Sequence, residues 1–339
     1  MKILGTKAIQ MNEEQKDLLR NTASKDPEVM REHRKALAQT LDGAFKSAVL
    51  EEDTLDGVFQ KIVVPNGADT RFPIHFLEAG DEEDHIAFVM PKEGAIPNRF
   101  IEGDEVYVST YEIANSIDWP IRYARDARWD VVADAMDVFY YGFTRKMNDD
   151  GWKTIISSAV TNGAITDSAA TSGYFTKKLV TNLQVGMKRF TGGRRTNVTD
   201  LFLSPEGLAD IRNWSSSDVD PDTRREIFVG DSAGGIKNLF GVRLHELHDL
   251  GVGQRYQTYI ESSSGPNKSA WFPTPGDQEF CIAMDLSNKP NYPFKMPVRE
   301  ELGVFDDETM HRSARMGVYG WMELGFTVLD SRYAAIGTF

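Results

Sequence analysis

The stretch Asp118–Val160 reads DWPIRYARDARWDVVADAMDVFYYGFTRKMNDDGWKTIISSAV. Trp129, Ala133, Met136, Tyr140, Phe143 and Met147 recur at three- and four-residue spacing, which places them on one face of an α-helix. Asp118 is a candidate cap, and Pro120 suits a first helical turn, where its missing N–H has no partner to lose. A helix unbroken to Val160 spans about 60 Å at a rise of 1.5 Å per residue, against about a dozen residues for an ordinary globular helix. Gly142 and the run Asn148-Asp149-Asp150-Gly151 oppose continuity, because an interior glycine costs about 1 kcal/mol. Apolar residues resume with helical spacing at Trp152, Ile155, Ile156 and Ala159. One long helix with a bend near Gly151 is expected. A helix that outruns a compact core bridges subdomains or lies along a neighbour.

The chain of 339 residues has room for a core and a second domain. Its hydrophobic content of 41% and charged content of 26% are those of a globular protein. The net charge of −13 argues against a general nucleic-acid binder, which needs a concentrated basic surface. Cys281 is the only cysteine, so no intrachain disulfide forms. The opening MKILGTKAIQ carries too short an apolar run for a signal peptide. No run of about 18 apolar residues occurs, so no membrane partner is expected.

Residues 1–59 read as an arm. Glu13 to Arg20 forms a short polar helix, and a second begins at Asp26-Pro27. Met30, Leu37, Leu41, Phe45 and Val49 give the second a narrow apolar stripe, suited to lying on a surface of its own subunit or of another. Residues 60–108 change to short β-rich runs: Ile62-Val63-Val64, Phe72 to Phe76, His85 to Val89 and Val106-Tyr107-Val108. Pro65-Asn66-Gly67 and Ala79-Gly80-Asp81 between them are turn chemistry. The segment holds four Lys/Arg against ten Asp/Glu, and its apolar runs are too sparse for a core. An extended acidic hairpin that finds its apolar contacts elsewhere fits this pattern. Arg122, Arg125 and Arg128 open the long helix although cations there oppose its dipole. They are either a solvated face or a contact for an acidic partner, such as Glu82, Glu83 and Asp84 of another copy.

Beyond Val160 the elements mix. Phe175–Phe190 is amphipathic, Leu201-Phe202-Leu203 is a buried strand, and Ser204-Pro205-Glu206 caps a helix ending near Trp214. Val242–Leu247, Arg255–Ile260 and Glu279–Asp285 read as strands. Arg315–Leu329 suits a bent strand or strand pair, and the apolar tail Tyr333–Phe339 is expected to be tied down. The fold class is α+β.

Chemical signatures are weak. His245-Glu246-Leu247-His248 lacks the HExxH spacing, and on a strand its histidines face opposite sides. Gly230–Lys237 departs from the Walker pattern at Ile236 and Asn238. No GxSxG elbow occurs, and Cys281 lies in the apolar run EFCIAMD. Thr191–Arg195 is a small basic loop, read as solvated rather than as a nucleic-acid contact. No catalytic, cofactor or metal residue is assigned.

The order of parts resembles the major capsid proteins of tailed bacteriophages, the HK-97 fold shared with encapsulin shells. So do local phrases: Gly94-Ala95-Ile96-Pro97 through Gly103-Asp104-Glu105-Val106, Tyr111-Glu112-Ile113-Ala114, Asp220-Pro221-Asp222-Thr223-Arg224-Arg225-Glu226-Ile227, and Gly303 onward. The resemblance implies an N-arm (1–59), an extended loop (60–108), a peripheral domain with a spine helix (109–165 with return strands 297–339) and an axial domain (166–296). It implies hexamers and pentamers of an icosahedral head around double-stranded DNA, with scaffolding, portal and decoration proteins as further partners. An encapsulin-type shell around a protein cargo is the alternative; a soluble α+β enzyme or binding module is a third reading, for which no polar constellation is found. Lys92 is the one lysine far out on the loop. The other partners of the family's Lys–Asn cross-link find no match, so none is expected.

Overall fold

The computed structural model describes residues 29, 32–33, 54–65, 67–73, 105–125, 129–168, 173–190, 196–215, 238–272, 278–287, 292–307 and 314–339, with backbone alone for the helical residues between 124 and 134. Most of the N-arm, the tip of the acidic hairpin, the loop 191–195 and the segment 216–237 lie outside the described residues.

Helix α2 (Trp129–Val160) is the axis of the fold, preceded by a five-residue helix α1 (Ile121–Arg125). Two sheets share it. The first has the order β1 (Gln60–Val63), β10 (Phe294–Asp306), β11 (Arg315–Leu324), β4 (Tyr111–Pro120), with β12 (Thr327–Val328) also on β10. The second has the order β5 (Ala164–Thr166), β13 (Ala334–Thr338), β9 (Phe280–Met284), β6 (Asp200–Leu203), β8 (Val242–Glu246), β7 (Asn238–Leu239). A separate pair, β2 (Arg71–Pro73) and β3 (Glu105–Tyr107), is antiparallel, with Pro73 opposite Glu105. It forms the base of the expected hairpin.

Met136, Phe139, Tyr140, Phe143 and Met147 pack on the first sheet, against Ile113, Leu302, Val304, Met316, Val318 and Met322. Trp152, Ile155, Ile156 and Ala159 are fully buried against the second, with Tyr256, Ile260, Ile282 and Ile336. Leu55, Val58 and Phe59, which end the arm, join this second cluster. Helices α3 (Lys177–Phe190) and α4 (Pro205–Asn213) cover the other face of the second sheet. Every residue of β6, β9 and β13 is therefore buried, and only Asp200 and Thr338 among them are polar. Ser204 caps α4, its hydroxyl accepting the Gly207 N–H at 3.0 Å.

Helix α2 continues through Asn148–Gly151, where the sequence suggested a bend. Magnitudes explain this. Gly151 costs about 1 kcal/mol in propensity, whereas each large apolar side chain buried just beyond it contributes about 1.5–3 kcal/mol. Gly151 answers a packing need instead: a Cβ there would lie 2.3 Å from Leu55 Cδ1. At Gly142 a Cβ would lie 2.7 Å from Asn115 Nδ2, which reaches across from β4 to donate to the Phe139 carbonyl at 3.2 Å.

Three expectations are corrected. The helix does not start at Asp118. Residues 111–120 form β4, in register with all of β11, and Asp118 pairs with Arg315 at 2.9 Å. The period-two burial of Ile113 and Trp119 prevails over the cap-and-proline signal, and Pro120 ends an edge strand, where no ladder N–H is missed. Arg255–Glu261 is a helix (α5), not a strand; Tyr256 and Ile260, four apart, bury one face toward Trp152. The C-terminal residues do not stay with the return strands. β13 pairs with β9 and β5 in the second sheet, because a largely apolar strand is satisfied where both faces are covered.

Candidate assembly surfaces

Asp149 and Asp150 sit where α2 passes between the sheets, and each holds a different side. The Tyr111 hydroxyl of β4 donates to Asp150 at 2.7 Å, and Lys146 Nζ donates to the same carboxylate at 2.7 Å. Burial, with Asp150 alongside, pushes the Tyr111 phenol well above its ordinary pKa. Asp149, almost fully buried, takes Lys153 at 2.7 Å and Arg255 of α5 at 3.1 Å. Arg145 bonds Asp249 at 3.0 Å, and the Ser157 and Tyr259 hydroxyls lie 2.9 Å apart. These groups tie α2 to β4 on one side and to α5 and the turn before it on the other. Tyr111, Lys146, Asp150, Lys153, Thr154, Ser157 and Tyr259 line an open depression of about 520 Å³. Its charged side chains are paired with one another, so it offers no poised acid, base or nucleophile.

A second polar node joins β6 to β8. Asp200, 1% exposed, receives Arg243 at 2.8 Å, His245 Nε2 at 2.7 Å and the Thr199 hydroxyl at 2.7 Å. Burial alone raises this carboxyl, but the hydrogen bonds from His245, Thr199 and Arg243 outweigh it and hold the pKa below the ordinary value. The His245 ring also stacks on Phe202, centroids 4.7 Å apart. His248 lies apart, 3.7 Å from Glu246. Among the described residues no three His, Cys, Asp or Glu side chains converge as metal ligands, and no helix is long and apolar enough to cross a membrane. Burial pushes the Cys281 thiol up to about 12, which leaves it inert.

Among the described residues the first sheet leaves one face open. Met316, Val318 and Met322 turn toward α2, while Tyr319 and Trp321 alternate away from it. Phe305 stacks on its cross-strand partner Tyr319 at 5.5 Å and lies 6.5 Å from Trp321. Gly303 leaves room for the Phe305 ring. Ion pairs Lys61–Glu301 (2.7 Å), Arg299–Glu323 (3.5 Å) and Arg315–Asp118 (2.9 Å) lie on the same strands. Val63 and Tyr107, on β1 and β3, are strongly exposed.

Arg122 is exposed, its guanidinium 5.2 Å from the centre of the Tyr123 ring. Arg125 ends α1, with only its backbone described. Arg128, Glu82, Glu83, Asp84 and Lys92 lie outside the described residues.

Similarity to solved structures runs through nearly the whole chain. A protein of Microbacterium phage Oxtober96 aligns over 84% of this chain and 90% of its own, with TM-score 0.55 and 13% identity. The capsid structure of cyanophage P-SCSP1u aligns over 84% of this chain and 87% of its own, with TM-score 0.54 and 13% identity. The capsid asymmetric unit of cyanophage Pam1 aligns over 83% and 88%, with TM-score 0.53 and 12% identity. The chain has the phage capsid fold. No protein-family model matches the sequence, and no curated protein matches it.

Within the capsid fold, the long helix was legible in the sequence and the polar node at Asp200 was not. The node at Asp200 unites residues more than forty positions apart through parallel pairing of β6 and β8, which no local pattern announces. The aromatic face was legible in part, as the alternation of Tyr319, Trp321 and Glu323 along Arg315–Leu329.

Proposed function

We propose that the chain is a major capsid protein, a structural subunit that assembles through copies of itself into an icosahedral phage head around double-stranded DNA. The observation that carries this reading is the fold match to capsid structures over more than four fifths of the chain. Three features support it. The long helix α2 ties two sheets into one rigid wedge. A hairpin base at β2–β3 launches a 31-residue acidic excursion, 74–104. The net charge of −13 suits a wall that must not hold the DNA it encloses.

On this reading residues 1–59 are the N-arm and 60–108 the extended loop. The first sheet with the N-terminal half of α2 is the peripheral domain, and the second sheet, including β13, is the axial domain. Hexamers and pentamers form the shell, and scaffolding, portal and decoration proteins bind it. Arg122, Arg125 and Arg128 receive Glu82, Glu83 and Asp84 of a neighbouring copy. Assembly occurs in the host cytoplasm, and no Lys92 cross-link forms.

Electron microscopy of the protein expressed alone, and with the proteins encoded beside it, tests the proposal. Closed particles of one size, with nucleic acid inside those isolated from a lysate, are expected. A monomer under all assembly conditions overturns the shell reading; particles filled with an enzyme instead of nucleic acid indicate a nanocompartment.

A further inference from the structure

Two residues, Phe240 and Gly241, join β7 to β8, with Leu239 opposite Val242 and Asn238 opposite Arg243. Their φ angles are +53° and +79°. Two successive residues at positive φ make a type I′ turn, whose first position favours Asn, Asp or Gly. For a bulky side chain this backbone region is a strained outlier. The ring is not buried in compensation: Phe240 is 47% exposed. A scattered exposed apolar residue is ordinary by itself. An exposed phenylalanine at a position built for asparagine or glycine is not.

The turn is also rigid. Leu239 and Val242 on either side are fully buried in the core under α3, and Gln184 of α3 donates to the Phe240 carbonyl at 3.4 Å. Backbone strain held by a rigid surround concentrates at functional positions. A pre-oriented aromatic loses little freedom on docking, and aromatics dominate interface energetics.

We propose that Phe240 is an intersubunit anchor whose ring is buried against a second copy of this chain. The proposal rests on the shell reading above. A second copy is the occupant because β7 is, among the described residues, the last strand of the second sheet. Its turn therefore lies at an outer end of that sheet, and on the shell reading the neighbours a subunit meets there are other copies. The contact repeats with every copy, so a modest local strain is offset many times over by assembly.

The test uses the full chain with Phe240→Asn, Phe240→Gly and Phe240→Leu. Asn and Gly fit positive φ, so the melting temperature of unassembled subunits is expected to rise in both. Particle yield by sedimentation and microscopy is expected to fall about tenfold, the loss of one central contact. Leu keeps the strain and much of the apolar contact, so it raises no melting temperature and retains more particles than Asn. Benzoylphenylalanine placed at 240 is expected to photo-cross-link two copies within particles. Wild-type particle yield from Phe240→Asn overturns this proposal and leaves the shell reading intact. A lower melting temperature for the Asn and Gly subunits overturns it too, as do cross-links confined to one chain or to another protein. A wild-type chain that never assembles overturns both readings.

Discussion

Asp200 is a buried carboxylate with partners on three sides, and its position sets a pH dependence. Its folded pKa lies below the ordinary value, so the unfolded chain binds the proton more readily. The stability it supplies is present above the ordinary carboxylate range and is lost as pH falls through the folded pKa. Glu279 works the other way. Burial raises its pKa, and Glu206 and Asp210 add to this against the hydrogen bond from Ser204. It therefore favours the fold at acid pH and loses that contribution as pH rises from the ordinary value to the raised one. Asp200→Asn leaves Arg243 and His245 facing a neutral amide. It is expected to cost about 2–3 kcal/mol near neutral pH, the scale of hydrogen bonds to a charged group. Urea unfolding across a pH series checks this: the gap between variant and wild type should narrow below about pH 4. A gap independent of pH argues that the loss is packing rather than charge.

At the scale of elements, α1 is the joint between β4 and α2, and its arginines are presented rather than buried: Arg122 touches only its neighbouring ring among the described partners. Arg122→Glu with Arg125→Glu reverses two charges on one short helix. Reduced particle yield with an unchanged circular dichroism spectrum is the expected result, and normal yield removes the proposed contact with the acidic hairpin. How these elements were read from sequence follows from their range of interaction. Helix α2 is long, and its apolar face from Met136 to Ala159 repeats at one period, so its existence and core residues were plain. Ser204-Pro205 announced α4 because a cap is local chemistry. Asp118–Pro120 was misread as a helix start because a cap and a proline are local signals, and only pairing with β11 shows the strand. Arg255–Glu261 failed because a short run of aromatic and β-branched residues fits either period; burial of Tyr256 and Ile260 against Trp152 selects the helix. Phe240 gave no signal at all, since its importance lies in a backbone angle.

For the whole molecule, the question that the shell reading raises is how a subunit folds alone yet closes a shell. Both sheets, α2 and the β2–β3 base are built from described residues outside the excursion 74–104. That segment carries eight Asp/Glu against two Lys/Arg, so its removal takes six net negative charges from the subunit. Pro73 and Glu105 face each other at its base, so an Asn-Gly turn can join them without disturbing the register. The variant lacking 74–104 is expected to be soluble and monomeric or capsomer-sized. Its melting temperature should match or slightly exceed that of wild-type subunits, because a shorter loop loses less entropy on folding. Closed particles should be absent by electron microscopy and light scattering. On the shell reading the reason is geometric: a subunit with its strands and aromatic face already formed still needs an arm that crosses onto its neighbour, or each contact stays too small to hold against the entropy of association. Intact shells from this variant would mean that the two sheets alone carry the lattice, and the acidic hairpin would lose its role as a clamp.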